Sequence, residues 1–176
     1  MLNVFLTNLG KYNEGFLVGK WVELPCEGEE LTNALRSLGI DGVRYEEWFI
    51  TDTETDIDGL GDLIGEYENF DRLNELADAL DSLDKWEVEK VQAIMEADSP
   101  DLEDLLAALE SGLCSYDLYA GVEDEEDLGR YYIEECGALD IPENIQQYFD
   151  YEAYGRDVSL EENGTFTAWG YLLRTA

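Results

Sequence analysis

Short apolar runs and one helical pattern alternate in the first sixty residues. The segment Gly10 to Gly15 has the composition of a turn and separates two apolar runs, which is typical of a β-hairpin. Leucines recur on one face between Glu29 and Leu38, where Gly39 provides a stop signal. The predicted elements are strands at Leu2 to Leu9, Phe16 to Leu24 and Tyr45 to Thr51, and a helix at Glu29 to Leu38.

Residues 62–112 have the spacing of helices. Apolar residues recur at intervals of three and four from Leu63 to Leu83, which predicts one continuous apolar stripe. Asp84, with Glu87 three residues later, fits the capping box of a second helix. The pair Ser99-Pro100 fits the start of a third helix, which Gly112 would end. These patterns predict a small bundle of amphipathic helices.

Residues 113–176 return to a mixed pattern. The predicted elements are a strand at Tyr116 to Gly121, a helix from Glu123 to Cys136, a short helix from Pro142 and a terminal strand from Gly164 to Arg174. The predicted fold class is therefore α+β, with three small domains in a row. They are an N-terminal α+β domain at 1–61, a central helical domain at 62–112 and a C-terminal α+β domain at 113–176.

The charge of the chain narrows the range of partners. The 176 residues include 43 acids and 10 bases, for a net charge of −33, while 45% hydrophobic residues argue against a disordered acidic tail. Most of the acids lie between residues 51 and 150. Nucleic acids and anionic membranes need clustered Lys and Arg, so both are excluded as partners. Cations and proteins with a basic surface remain.

Enzyme chemistry has few candidate residues here. The chain contains no histidine, the commonest general base and zinc ligand, and no phosphate-binding glycine motif. The three cysteines form no C-x-x-C pair, which argues against a disulfide framework or a zinc site. No apolar run is long enough to span a membrane. We therefore expect a cytoplasmic protein without catalytic residues, metal or cofactor.

One segment is similar to a calcium loop. Glu54, Asp56, Asp58 and Gly59 match the first, third, fifth and sixth positions of an EF-hand. The twelfth position, which needs a bidentate glutamate, is Gly65. A polar loop before a helix is the simpler interpretation, although an acidic calcium-binding or calcium-buffering protein stays open as an alternative.

The acids also fit the charge of a DNA duplex. Asp71, Glu75 and Asp78 fall on one face of a predicted helix, with neighbouring carboxylates about 5–6 Å apart. Duplex DNA carries one charge per about 1.7 Å of axis, so 33 charges correspond to about 56 Å of duplex. A protein that imitates DNA is thus permitted, as are a halophile surface, a cation buffer and an interaction module whose acidity only aids solubility.

Two regions resemble a known family. Asn8 to Trp21 (NLGKYNEGFLVGKW) resembles the opening of ArdA-type antirestriction proteins. Leu128 to Leu139 (LGRYYIEECGAL) and Asn144 to Asp157 (NIQQYFDYEAYGRD) are similar to the C-terminal antirestriction region of that family. Cys136 stands where a small polar residue such as Thr is expected. The acidic middle, 53–112, agrees only in character.

The resemblance implies an elongated, curved homodimer of three-domain protomers joined through their C-terminal domains. Such proteins are encoded on mobile elements such as conjugative transposons. They mimic bent B-form DNA and occupy the basic DNA-binding groove of the methyltransferase core of type I restriction-modification enzymes. The antirestriction motif would comprise Arg130, Tyr131, Tyr132, Glu134, Glu135 and Gly137.

The acidic surface predicted to face the partner is a larger set. It comprises Asp56, Asp58, Asp62, Glu66, Asp71, Glu75, Asp78, Asp81, Glu87, Asp101, Asp104, Glu110, Glu123, Asp124, Glu125, Glu126, Asp127 and Glu134.

The tyrosines and arginines of the C-terminal region have a structural explanation. Rings at helical spacing usually pack in a core or an interface, which we expect for Tyr131, Tyr132, Tyr148, Tyr151 and Tyr154. Arg130 and Arg156 are surrounded by acids, so pairing with neighbouring carboxylates is expected rather than contact with a partner.

Overall fold

The computed structural model describes residues 1–175 and has a mixed α+β architecture with two small antiparallel sheets, which confirms the predicted fold class. The chain divides into two compact units, each built from two segments. The first is Met1–Asp84 with Asp101–Leu109, and the second is Lys85–Pro100 with the residues from Glu110 onward. The helices of residues 62–112 are thus distributed over both units. The division into three domains stays a prediction.

The regular elements follow one another with short connections. In chain order they are β1 Leu2–Asn8, α1 Leu9–Asn13, β2 Gly19–Leu24, α2 Gly28–Ser37, β3 Trp48–Thr55, a 3-10 turn Leu60–Leu63, α3 Phe70–Asp81, α4 Lys85–Asp98, α5 Leu102–Glu110, β4 Tyr116–Tyr119, α6 Glu125–Arg130, a π-helical turn Tyr131–Glu135, α7 Glu143–Gln146, α8 Tyr151–Glu162, β5 Thr165–Thr167 and β6 Gly170–Arg174.

The sheet of the first unit has the strand order β2-β1-β3, and all neighbours are antiparallel. Leu2, Val4 and Leu6 alternate along β1 and are almost completely buried, so one face of the sheet forms the core. The β1–β2 hairpin is confirmed, although the predicted turn between its strands contains α1. Strand β3 extends to Thr55, whereas the sequence pattern placed a loop from Asp52 onward.

The helices of the first unit direct the predicted leucines inward, although Leu31 and Leu35 of α2 are only half-buried. Helix α2 begins with a capping box between Glu27 and Glu30, and Gly39, with φ of +82°, follows its end. Helix α3 buries Leu73, Leu76 and Leu80. The predicted apolar stripe is wrong at its start, because Leu63 lies in the 3-10 turn and Tyr67 is exposed.

The start of α5 differs from the prediction. Ser99 has φ of +45° and does not cap the helix. Instead the Asp101 carboxylate accepts a hydrogen bond from the Asp104 amide at 2.8 Å, which is the geometry of an N-cap. Asp101, two residues after Ser99, therefore caps the helix in place of the Ser-Pro signal.

The sheet of the second unit has the order β4-β6-β5. The single terminal strand predicted from Gly164 to Arg174 is wrong, because the chain reverses at Ala168-Trp169 and forms the β5–β6 hairpin. Gly170 has φ of +130°, a conformation that favours glycine, and it lies directly after this turn. Val122, Leu128 and Tyr171 form the buried centre of the cluster that packs against this sheet.

Candidate functional site

The acids predicted to face a partner are almost all solvent-exposed. In the first unit, those from Asp56 to Asp81 and the pair Asp101 and Asp104 are exposed. In the second unit the predicted acids are exposed except Glu87, Glu125 and Asp127, which are half-buried. Their exposure makes most of these carboxylates available to a partner, and each unit presents an acidic surface of its own.

Helix α3 shows how one element presents acids and leucines on different faces. Asp71, Glu75 and Asp78 are exposed at positions i, i+4 and i+7, whereas Leu73 and Leu76 are fully buried. Like charges at such spacing repel by a few tenths of a kcal/mol per pair. Burial of the leucines holds the carboxylates together despite this repulsion.

Some acids of the second unit also shape the backbone. The Asp124 carboxylate accepts a hydrogen bond from the Asp127 amide at 3.0 Å and caps α6. The Asp127 carboxylate accepts one from the Glu123 amide at 3.2 Å. Acids near the N-terminus of a helix also interact favourably with its dipole. The acids from Glu123 to Asp127 therefore stabilise the start of α6, in addition to any role in binding.

Arg130 lies within this acidic surface and is paired on both sides. Its guanidinium donates to Glu126 at 2.7 Å and to Glu134 at 3.4 Å. It also lies over the ring of Tyr151, with 4.3 Å from the guanidinium carbon to the ring centroid. The hydrogen bond to Glu126 raises the pKa of Arg130. The predicted pairing with carboxylates is confirmed, although Arg130 remains partly exposed rather than buried.

Arg156 is paired more weakly. Its Nε lies 4.0 Å from the Asp157 carboxylate, and both side chains are largely exposed. An ion pair of this length on the surface adds little stability.

Two glycines that sequence reasoning overlooked bring α6 and α8 into backbone contact. A Cβ at Gly129 would overlap the carbonyl of Tyr151, and a Cβ at Gly155 would overlap the carbonyl of Glu125. Only glycine permits this approach. The contact fixes the acids and the arginine of α6 relative to Tyr151 at the start of α8. Gly129, near the middle of the predicted helix Glu123 to Cys136, was the available signal, whereas Gly155 lies in a helix that the sequence did not predict.

The tyrosines of the antirestriction segment differ in environment. Tyr131 and Tyr132 are half-buried against the Val122, Leu128 and Tyr171 cluster, and Tyr151 is buried, as expected. Tyr148 is 79% exposed and does not pack in a core of this chain, so its packing in an interface stays a prediction. The π-helical turn closes with a hydrogen bond from the Cys136 amide to the Tyr131 carbonyl at 3.1 Å.

Tyr132 and Tyr171 are the most perturbed titratable groups of this cluster. Burial raises the pKa of Tyr132, and its hydroxyl donates to the Glu162 carboxylate at 2.7 Å. Burial also raises the pKa of Tyr171 to about 12. Burial disfavours the charged phenolate, so both rings stay neutral and act as packing groups near neutral pH.

Neither a cluster of metal ligands nor a membrane-spanning helix occurs in the described part of the chain. Among residues 1–175, no group of three or more carboxylate or thiolate side chains is arranged to hold a metal ion. No helix within the same residues combines the length and the apolar character needed to cross a bilayer.

Comparison with known families identifies the family to which this acidic chain belongs. Residues 4–173 match the model of the family described as antirestriction protein (ArdA), which is nearly the whole chain. The chain belongs to the ArdA family. The resemblance carried by its N-terminal and C-terminal segments is thereby confirmed, and a comparison with curated proteins gave no match. ArdA proteins are inhibitors that act on restriction, and the family is not known for enzymes.

The N-terminal segment that resembles ArdA proteins has a structural role in the first unit. The buried Asn8 side chain accepts a hydrogen bond from the Lys11 amide and donates one to the Leu38 carbonyl at 3.0 Å. A Cβ at Gly10 would lie 2.5 Å from a carbon of the Tyr45 ring. The Tyr45 hydroxyl donates to Glu14 at 3.0 Å, which lowers the pKa of Glu14. Residues of the ArdA-like segment therefore hold α1 in its position against the sheet.

Proposed function

We propose that the protein mimics the charge and outline of B-form DNA and inhibits type I restriction-modification enzymes by occupying their DNA-binding site. The observation that carries the proposal is the near-continuous exposure of the predicted acids on a chain with net charge −33. Membership in the ArdA family supports an antirestriction role. The partner surface would be the basic DNA-binding groove of the methyltransferase core.

Several features that the family resemblance implies belong to this proposal. They are a three-domain, elongated and curved protomer, a homodimer joined through the C-terminal domains, and action in the cytoplasm. The antirestriction motif around Arg130 would hold the acids of α6 in place rather than donate to the enzyme, because its guanidinium is already engaged by Glu126 and Glu134.

A competition experiment tests the mechanism. A purified type I methyltransferase bound to fluorescent DNA is titrated with the protein at low salt, and displacement of the DNA is followed by anisotropy. Displacement should weaken steeply as salt rises, because the enzyme attracts mimic and DNA through the same Coulomb interaction. If the DNA is not displaced at low salt, the proposal fails.

Matched triple variants test whether the predicted acidic surface carries the binding. Neutralising Asp71, Glu75 and Asp78 together, as Asn or Gln, should weaken displacement by about tenfold or more, since close charge pairs across interfaces contribute on the order of 1 kcal/mol each. Neutralising the exposed Glu23, Glu29 and Glu46 removes the same charge from outside the predicted surface and should have a smaller effect. Single neutralisations should change little. Equal loss in both triple variants would show that only net charge matters.

A further inference from the structure

The second face of the N-terminal sheet is aromatic. Because side chains alternate along β1, Phe5 points away from the core that Leu2, Val4 and Leu6 form. The strand register places Trp21 opposite Phe5, and Phe49 lies opposite Thr7. The Phe5 and Trp21 rings meet edge to face with centroids 5.1 Å apart. We call Phe5, Trp21 and Phe49, with Tyr12 and Tyr67 at their margin, the aromatic face.

The aromatic face is open to solvent at Trp21, Tyr12 and Tyr67, whereas Phe49 is buried. Trp21 is 43% exposed, Tyr12 is 51% exposed and Tyr67 is 68% exposed, although all three rings contact other rings of the face. Large aromatic side chains contribute most to binding when they are covered, and clustered apolar exposure marks interaction sites. The groove between these rings has a volume of about 460 Å³.

The floor of the groove is preformed. A Cβ at Gly19 would overlap the Phe5 ring, so this ring lies across β2 where only a glycine leaves room. Tyr12 packs edge to face on Phe49 with 5.3 Å between centroids, and Tyr67 stacks on the same Phe49. Rings held in this way lose little conformational freedom on binding, which favours affinity.

Two exposed carboxylates lie at the edge of the groove. Asp52 is paired with Phe5 in the strand register, and both Asp52 and Glu66 line the groove. The described residues that line it include no lysine or arginine. Aromatic faces beside carboxylates suit a side chain with an apolar stem and a cationic end.

The same chain already uses this arrangement with its own cations. Lys11 lies 4.7 Å from the centre of the Tyr45 ring beside Glu14, and Arg130 lies 4.3 Å from the centre of the Tyr151 ring beside Glu126. At those two sites the ring and the carboxylate hold a base of the chain itself. At the aromatic face the rings and carboxylates are present, and the residues that line the groove include no base of the chain itself.

We infer that the aromatic face binds an arginine or lysine side chain of a protein partner, with the stem on Trp21 and Phe5 and the cation beside Asp52 and Glu66. The inference rests on the proposed function, in which that partner is the restriction enzyme. A second copy of this chain is disfavoured because the proposed homodimer joins through the C-terminal domains, whereas the residues that line this groove belong to the N-terminal sheet and its neighbouring segments. The contact would add apolar affinity that salt does not screen.

The first experiment uses a small probe and does not depend on any enzyme. The full chain is titrated with N-acetylarginine amide while NMR follows the indole N–H of Trp21, assigned with Trp21→Phe. Saturable shifts at Trp21 are expected, and N-acetylglutamine amide should cause none. The Asp52→Asn/Glu66→Gln pair should reduce the affinity several-fold, whereas Asp71→Asn/Glu75→Gln, which removes the same charge elsewhere in this unit, should not. Absent or equal shifts with the two probes would overturn the inference.

The second experiment measures affinity for a type I methyltransferase as a function of salt. Trp21→Ala should weaken binding about tenfold at every salt concentration and leave the slope of log affinity against log salt unchanged. Trp86→Ala is the matched control, since Trp86 is 45% exposed and belongs to the other unit. Asp52→Asn/Glu66→Gln keeps the test valid if the tryptophan variant misfolds. This pair should also weaken binding, but with a smaller slope, because it removes two charges.

The outcomes separate the two ideas. If the wild-type protein fails to bind the enzyme, the proposed function is wrong, and the arginine probe still decides whether the face is a cation site. If the wild type binds and Trp21→Ala binds equally well, the face does not contact the enzyme. If Trp21→Ala instead changes the oligomeric state in sedimentation, the face belongs to a second copy and the inference is overturned.

Discussion

Gly129 and Gly155 remove the side chains that would otherwise separate α6 from α8. Their positions bring the backbone of one helix against the backbone of the other, beside the buried Tyr151. Packing at this distance leaves no room for relaxation, since neighbouring backbone atoms rather than flexible side chains would have to move.

Gly155→Ala should therefore destabilise the second unit by about 2–4 kcal/mol, despite the better helix propensity of alanine. Its unfolding midpoint, measured by circular dichroism, should fall by about 5–15 °C. Gly28→Ala is the matched control, because a Cβ there meets no atom within 4 Å, and its midpoint should stay nearly unchanged. Equal midpoints in the two variants would contradict the close helix contact.

Tyr132 and Tyr171 should make the second unit sensitive to alkali. Their pKa values are raised by burial, so the neutral form stabilises the fold at neutral pH. An unfolded tyrosine has a pKa of about 10, so this stability is lost as pH rises above about 10. Absorbance at 295 nm should show two tyrosines that ionise only with unfolding. Tyr132→Phe should shift that unfolding to higher pH, whereas Tyr148→Phe, at an exposed position, should not.

At the level of elements, the buried side chain of Asn8 connects α1 to the end of α2. Asn8 caps the helix through the Lys11 amide and satisfies the carbonyl of Leu38 at the end of α2. A five-residue helix has too few internal hydrogen bonds to be stable alone, so tertiary contacts have to hold it.

Asn8→Ala should cost about 2–3 kcal/mol, the sum of a lost cap and a buried carbonyl without its donor. Chemical denaturation followed by fluorescence measures the loss. Asn13→Ala, an exposed change in the same helix, should cost less than about 0.5 kcal/mol. A loss of the same size in both variants would show that helix propensity, rather than the buried hydrogen bonds, determines stability here.

The sequence predicted elements best where apolar spacing alone defines them. The leucines of α2 and α3 lie on the faces that the period indicates. Helix α8 was missed because its packing relies on Gly155, which carries no hydrophobic signal. The β5–β6 turn was missed because Trp169 continues the apolar alternation through the reversal.

The exposure of the acids on the candidate surface was predictable from the sequence, but their local hydrogen bonds were not. High net charge requires that most acids be exposed, since burying an unpaired carboxylate is costly. Whether an individual acid caps a helix depends on backbone geometry, as it does for Asp101 and Asp124 at the starts of α5 and α6. The aromatic face escaped sequence reasoning because Phe5 and Trp21 meet only through the strand register.

For the whole molecule, like charge opposes folding. A net charge of −33 distributed over exposed acids produces repulsion that folding has to overcome. Salt screens this repulsion, with a Debye length that falls from about 30 Å at 0.01 M to about 8 Å at 0.15 M.

The unfolding temperature should therefore rise by several degrees between 0.01 M and 0.5 M salt. Sodium and potassium chloride should act equally, because screening depends on ionic strength rather than on a specific site. Calorimetry at constant pH provides the measurement. A flat response would contradict the view that crowded acids destabilise the fold.

Arg130 changes the ion atmosphere around this surface. It is in effect a covalently attached counterion shared by Glu126 and Glu134, and it offsets one of their two negative charges without depending on dissolved salt. Freely solvated acids elsewhere collect mobile sodium or potassium ions, and a basic partner gains entropy when it releases them. A lysine that approaches Glu126 instead meets a cation that cannot diffuse away.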